Sequence, residues 1–331
     1  LFLTKGKRGE IMSATHPIIA ITGSSGSGTS TVQTAFEHIF IREQIQATFV
    51  AGNSFRRFTA EDVPVVFKEA ADSGKPISHF GPEANLFDRL EGLFREYARS
   101  GTGLIRNYME DHEMANLFGI PVGTYSPWEE IDPGSDMLFY EGQHGGCIEA
   151  TWSRRLMSRS HNPVVVKARH KLDTFKDSGV DIAQWVDLLI GVVPSINLEW
   201  IQNIHQECSK KGCSTEAAAL TILRRMPDYT RYITPQFSLT DINFQRIPLV
   251  DTSNPFIATE IPTADESMLA IRFREPKKID FPNLLKRLPN AFMSRPNTIV
   301  VAGGEMLNAM DVICTPMVQE LMERKRKAMM L

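Results

Sequence analysis

The stretch that most restricts the fold is ITGSSGSGTST, residues 21–31. Gly23 and Gly28 flank four residues, and Thr29, Ser30 and Thr31 follow. A backbone that must turn tightly and offer successive N–H groups to a ligand favours residues without a Cβ, so glycines at this spacing point to a phosphate-binding loop. The run before the loop, IIAITG, is apolar and β-branched. The run after it, STVQTAFEHIFIREQ, places apolar residues at Val32, Ala35, Phe36, Ile39 and Phe40. Strand, loop and helix in that order direct the free N–H groups and positive dipole end of the helix at whatever the loop holds. The candidate nucleotide cradle is therefore Gly23, Ser24, Ser25, Gly26, Ser27, Gly28, Thr29, Ser30 and Thr31, with the Ser30 hydroxyl placed for Mg²⁺. Thr29 stands where the common motif has its lysine, so the loop lacks a cation of its own.

Further strands are expected in QATFVAG, in SDMLFYEGQHGG, in VDLLIGVVP and in TIVVAGGEM, with helices in EANLFDRLEGLFREYA, after Pro194 and from Met306 onward. Strands alternating with helices predict an α/β fold, a largely parallel sheet with helices on both faces. Glu141 ends an apolar strand where such folds place their ligand crevice, which makes it a candidate Mg²⁺ ligand.

With 36 Lys and Arg against 39 Asp and Glu in 331 residues, no basic field suggests nucleic acid, and a small molecule is the expected partner. Four cysteines without CxxC spacing read as free thiols in a reducing compartment. No apolar run has the length a membrane helix requires, so no membrane partner and a cytoplasmic location are expected. Residues 1–11 precede Met12 and are expected to be a disordered extension; 12–331 are expected to form one domain. The Arg- and Lys-rich stretch 151–185 lacks a clear period and reads as an insertion. The basic run 324–327 is expected to complement the dipole of a last helical turn.

The blocks HPIIAITGSSGSGTST, SHFGPEAN, LFYEGQHGG, IGVVPSINLEWIQ, ITPQFSLTDINFQRIPLVDTSNPFIA, IPTADES and KIDFPNLL, from His16 to near the end, together resemble the bacterial type of phosphoribulokinase. The resemblance implies a P-loop kinase fold with a mixed, mostly parallel sheet and helices on both faces. It implies transfer of the ATP γ-phosphate to ribulose 5-phosphate, giving ribulose 1,5-bisphosphate for the Calvin cycle. It further implies Mg²⁺, a homo-octamer and an NADH effector. The family's loop also has threonine at position 29, so that departure from the common motif is inherited.

Other family positions differ. Asn53 replaces the favoured Asp base, Arg56 a His, Ala60 an Arg, and Glu110 a His. In NLEWIQNIHQECSKKG, Asn203 stands at a Lys position, Gln206 at an Arg position, Glu207 at an Asp position and Lys211 at a further Arg position. Glu207, Glu141 and Asn53 are thus the candidate catalytic set, and Arg57, Tyr108, His144 and Lys211 the candidate substrate-binding set. Arg42 and Arg246 match effector-site positions, whereas a later effector Arg is Thr259. An amide cannot take a proton as a carboxylate does. Two alternatives therefore stand beside the kinase: a nucleotide-binding homologue with a regulatory or assembly role, and a kinase for another sugar or a nucleoside.

Overall fold

The computed structural model describes residues 15–23, 29–148, 180–257 and 260–330; the side chains of Thr29, Ser30, Lys210 and Lys211 lie outside that description. The chain builds an eight-stranded sheet in the order β2-β5-β1-β6-β7-β8-β10-β9. Its parallel half comprises β1 (Ile18–Gly23), β2 (Ala47–Ala51), β5 (Met137–Gly142), β6 (Leu188–Pro194) and β7 (Ile242–Pro248). Beyond β7 the pairing becomes antiparallel through β8 (Ser267–Phe273), β10 (Thr298–Ala302) and β9 (Phe292–Arg295). A small ribbon of β3 (Leu104–Ile105) and β4 (Glu129–Glu130) stands apart.

Alternation along β1 explains the layers. Ile19 and Ile21 face a core shared with Phe36 and Ile39 of α1 (Thr29–Arg42) and with α8 (Met306–Met329), while α7 (Phe281–Arg287) adds Leu284 at its margin. Ile18 and Ala20 face the opposite core, filled by Leu90, Phe94 and Tyr97 of α3 (Phe87–Ser100). A strand buried on both faces reads as continuously apolar, as β1, β5 and β6 do. Helices on both faces of a mixed sheet match the expected architecture.

The predicted strands around 18–23, 47–51, 137–142, 188–194 and 298–302 are all present. The sequence pattern predicts no strand at β7, β8 or β9; β7 pairs parallel with β6 and antiparallel with β8. Two readings need correction. The stretch 151–185 does not run on as a surface excursion to its end: Ile182, Ala183 and Trp185 are buried against the α3 face, because apolar side chains of that size pack rather than stay in water. Residues 151–179, like the 1–11 extension, lie outside the described residues. In the run 324–327, Lys325 is buried and its Nζ donates to Asp136 O at 2.8 Å and Oδ1 at 3.2 Å, while Arg324 lies 4.0 Å from Asp187. Half of that run fastens α8 to the strand starts instead of decorating a helix terminus.

Candidate active site

β1 delivers Gly23 to the loop and α1 resumes at Thr29. The cradle residues 24–28 lie outside the described residues, so the loop is located by its two ends. Thr22, fully buried, donates through Oγ1 to Gln236 Oε1 at 2.8 Å. The same Oε1 accepts from Gly146 N at 2.9 Å, while Gln236 Nε2 donates to Gln143 O and Tyr232 O, both at 2.8 Å. One buried amide thus uses both of its faces to tie the end of β1 to the turn after β5 and to the helical turn at 229–233. Gln236 was noted in sequence only as part of a family block; nothing in its spacing announces the role.

Strand register puts Glu141 beside the loop. Ile21 pairs with Glu141, which pairs on its other side with Ala51. Glu141 is half-buried and already engaged by a neighbour. Its carboxylate, on the strand next to the one that feeds the loop, is a hard oxygen donor of the kind Mg²⁺ takes.

Across the strand ends lies a cavity of about 480 Å³. Its floor comes from α5 (Ile196–Lys211) and α6 (Thr215–Asp228), and its roof from the segment 56–85. Asn203, Gln206 and Glu207 of α5 line it together, as their spacing on successive turns requires. Phe58, Phe67, Phe80 and Trp200 make most of the remaining wall apolar. Two arginines reach it. The Arg56 side chain has no hydrogen-bond or ion-pair partner among the described residues, and it lines the cavity with Gln143 of the turn after β5. Arg225 places Nη2 3.1 Å from His79 Nε2, and His79 stacks on Phe67 at 4.0 Å. Since a guanidinium only donates, His79 Nε2 is the acceptor and its proton sits on Nδ1. Burial presses the Arg225 pKa downward, and the charge of Glu207 opposes that. Its Nε remains buried without a partner.

The structure distributes the other predicted residues differently. Arg57 lies off the cavity: Nε donates to Glu83 O and Nη2 to Pro82 O, each at 3.1 Å, so it fastens the roof, and its neighbour Arg56 faces the space instead. Successive residues in extended backbone point to opposite sides, which is why RR in sequence did not reveal which one mattered. His144 is 5% exposed, donates from Nε2 to Phe80 O at 3.1 Å and meets the Phe87 ring edge-on at 4.8 Å. Burial lowers its pKa to about 4, so it is a neutral strut under the roof and not a substrate cation. Tyr108 packs on Tyr125 at 5.2 Å, outside the cavity wall. Lys211 ends α5, with its side chain outside the described residues.

Asn53 sits in the single helical turn Gly52–Phe55 that follows β2, and its Nδ2 donates to Glu110 Oε2 at 3.2 Å. Arg42 is held at the end of α1 by Asp311, at 2.8 Å, and by Thr315 Oγ1 at 2.6 Å. The Asp311 hydrogen bond raises the Arg42 pKa, and Arg42 in turn lowers that of Asp311. Arg246 closes β7 by donating to Ser267 Oγ at 3.1 Å and to Pro262 O at 2.5 Å, at the opposite side of the parallel half from β2.

Comparison with known proteins agrees with this geometry. The family model described as the phosphoribulokinase / uridine kinase family matches residues 18–158 and 171–253. A phosphoribulokinase of Rhizobium meliloti is 50% identical over 96% of this chain and 99% of its own length, and one of Nitrobacter vulgaris is 48% identical over 95% and 99%. The solved phosphoribulokinase from Rhodobacter spheroides superposes with a TM-score of 0.79 at 43% identity, covering 95% of this chain and 100% of that one. With its loop-bearing strand, its strand-end carboxylate and near end-to-end similarity to these relatives, the chain belongs to the phosphoribulokinase / uridine kinase family.

Proposed function

We propose that the chain is an ATP-dependent phosphoribulokinase, which transfers the γ-phosphate of ATP to ribulose 5-phosphate to give ribulose 1,5-bisphosphate in the Calvin cycle. The observation that carries this reading is the cavity itself: it is lined by Arg56, whose guanidinium is unpaired among the described residues, a cation available to the phosphate of a sugar phosphate. The relatives that match along nearly the full chain bear the name phosphoribulokinase, which supports the same acceptor.

The loop and the start of α1 bind the nucleotide phosphates, and Ser30 with Glu141 would hold Mg²⁺, which neutralises phosphate charge when bound. Gln236 keeps the loop strand and the turn after β5 in fixed register, and the apolar cavity wall excludes water from the transfer. Phosphoryl transfer relies on positioning and electrostatics more than on covalent help from the protein, so a site with fewer cations still suits the chemistry.

Purified protein with ATP, Mg²⁺ and a panel of ribulose 5-phosphate, neutral pentoses and nucleosides tests the reading. Turnover with ribulose 5-phosphate alone supports it; turnover with a neutral acceptor alone replaces it by the broader kinase reading. The second reading, a nucleotide-binding homologue with a regulatory or assembly role, is favoured by the neutral Asn203 and Gln206 on the cavity wall. ATP binding without turnover of any acceptor would select it.

Assembly and regulation extend the same reading. The outer strand β9 is exposed along its length, with Phe292 and Met293 open to solvent, which supports a homo-oligomer; the octamer comes from the resemblance. An NADH effector acting through Arg42 and Arg246 would have to compete with Asp311 for Arg42. No described helix is long and apolar enough to cross a membrane, and a cytoplasmic location is part of the proposal.

A further inference from the structure

Beyond β2 an amide faces a carboxylate. The carboxylate of Glu110 only accepts, so the Asn53 amide nitrogen must be the atom turned toward it, at 3.2 Å. The amide oxygen then points inward, where it is buried without a partner. Both arms of this contact are fastened. Arg106, four residues before Glu110, donates from Nε to Ser54 O at 2.8 Å and from Nη2 to Arg56 O at 2.6 Å, gripping the backbone just after Asn53. Its guanidinium lies 3.7 Å from the centre of the Tyr125 ring, and Tyr125 donates to Phe58 O at 2.9 Å. Met109, next to Glu110, exchanges backbone hydrogen bonds with Thr124 at 2.9 Å and Gly123 at 2.7 Å. A single exposed surface contact would not need this frame.

The pair stands at the same strand ends as Glu141, though neither residue lines the cavity. Ala51 pairs with Glu141, and the following glycines are so close that a Cβ on Gly142 would come within 2.8 Å of the Gly52 Cα. Asn53 therefore leaves the sheet at the same strand ends as the candidate Mg²⁺ ligand, and Arg56 enters the cavity wall three residues later. Of the other carboxylates, Glu207 and Glu199 lie on the cavity wall, the first within the field of buried Arg225 and the second accepting from the Tyr229 hydroxyl at 2.9 Å, and Glu141 serves the metal side.

We propose that Glu110 is the general base of the transfer and that Asn53 is its positioning residue. This rests on the kinase reading above. The acceptor hydroxyl gives its proton to the Glu110 carboxylate as its oxygen bonds to the γ-phosphorus. The bond from that phosphorus to the bridging oxygen of the β-phosphate breaks, and ADP leaves with the electron pair. Glu110 is exposed and returns the proton to water. The Asn53 amide, donating to Glu110 Oε2, aims the carboxylate.

The test compares the unaltered protein with Glu110→Gln, Glu110→Asp and the exchange Asn53→Asp/Glu110→Gln, each checked for fold by circular dichroism. Glu110→Gln is expected to lower kcat about 10²- to 10⁴-fold, with the KM for ATP little changed, and to abolish the acid limb of the pH–rate profile. Glu110→Asp keeps that limb, and the exchange, which moves the carboxylate across the contact, recovers activity at least about tenfold over Glu110→Gln. A folded Glu110→Gln that stays within about threefold of an active unaltered protein, with its acid limb intact, overturns the inference alone. An unaltered protein without turnover on any acceptor removes the kinase reading and this inference with it.

Discussion

The nucleotide side and the acceptor side of the crevice are built on opposite plans. Around Thr22 the fold uses neutral groups in closed hydrogen bonds: Gln236 satisfies both faces of its amide against four partners and is 1% exposed. On the acceptor side polar groups stand open. Among the described residues Asn53 Oδ1 and Arg225 Nε are buried without partners, and the Arg56 guanidinium is unpaired. An unsatisfied buried polar atom costs roughly 1–3 kcal/mol, a cost that a ligand offsets where it supplies the missing partner. The first side is finished by folding and the second by substrate. Mutations should therefore divide: stability effects near Gln236, and KM or kcat effects near Arg56.

The largest stability effect is expected for Gln236→Leu. It fits the space but strands the Gly146 N–H and removes the amide's bonds to Thr22, Gln143 and Tyr232, and should lower unfolding free energy by about 3 kcal/mol in urea titration. A loss of turnover without a loss of stability would break the division. On the other side, Arg56→Ala removes a charged hydrogen-bond donor from the cavity and should raise the KM for ribulose 5-phosphate about 10- to 100-fold, leaving stability and the KM for ATP nearly constant. An equal rise in both KM values would place Arg56 with the nucleotide instead.

His144 sharpens the comparison through pH. Burial holds its folded pKa at about 4, below the usual 6.5, so the unfolded chain binds the proton more readily. Its contribution to stability is complete above about pH 6.5 and falls as the pH drops from there through 4, with a loss of about 2 kcal/mol between pH 7 and 5. His144→Gln keeps a donor for the Phe80 carbonyl and should flatten that part of the curve. The smallest effect is expected at Arg42, whose pairing with Asp311 is exposed: Arg42→Ala should change stability by less than about 1 kcal/mol, and less still at high salt.

How much of this was legible in the sequence follows the same division. The strand and helix that flank the loop were legible because strand, glycine spacing and helix occur in fixed order, and the place of Glu141 near the end of β5 because a carboxylate follows an apolar strand. Asn203, Gln206 and Glu207 share the cavity because helical spacing is regular. What failed depended on direction and on contacts distant in the chain. Sequence could not tell Arg56 from Arg57, since one residue of extended backbone reverses the side chain. It offered His144 as a substrate group, although the fold buries the ring beneath Phe80. It could not pair Asn53 with Glu110, 57 positions later, because that contact exists only once Arg106 has joined the two segments. The apolar pattern of β7 and β8 was equally silent on their antiparallel pairing.

The central claim is that a nucleotide-binding loop anchored through Gln236 faces a working acceptor site. Phosphorus NMR of the protein with ATP, Mg²⁺ and ribulose 5-phosphate tests it most directly, because it separates transfer from hydrolysis. The account predicts that ribulose 1,5-bisphosphate appears in step with ADP and without inorganic phosphate. ADP accompanied by inorganic phosphate alone, or unchanged ATP in a sample that binds it, would contradict the claim.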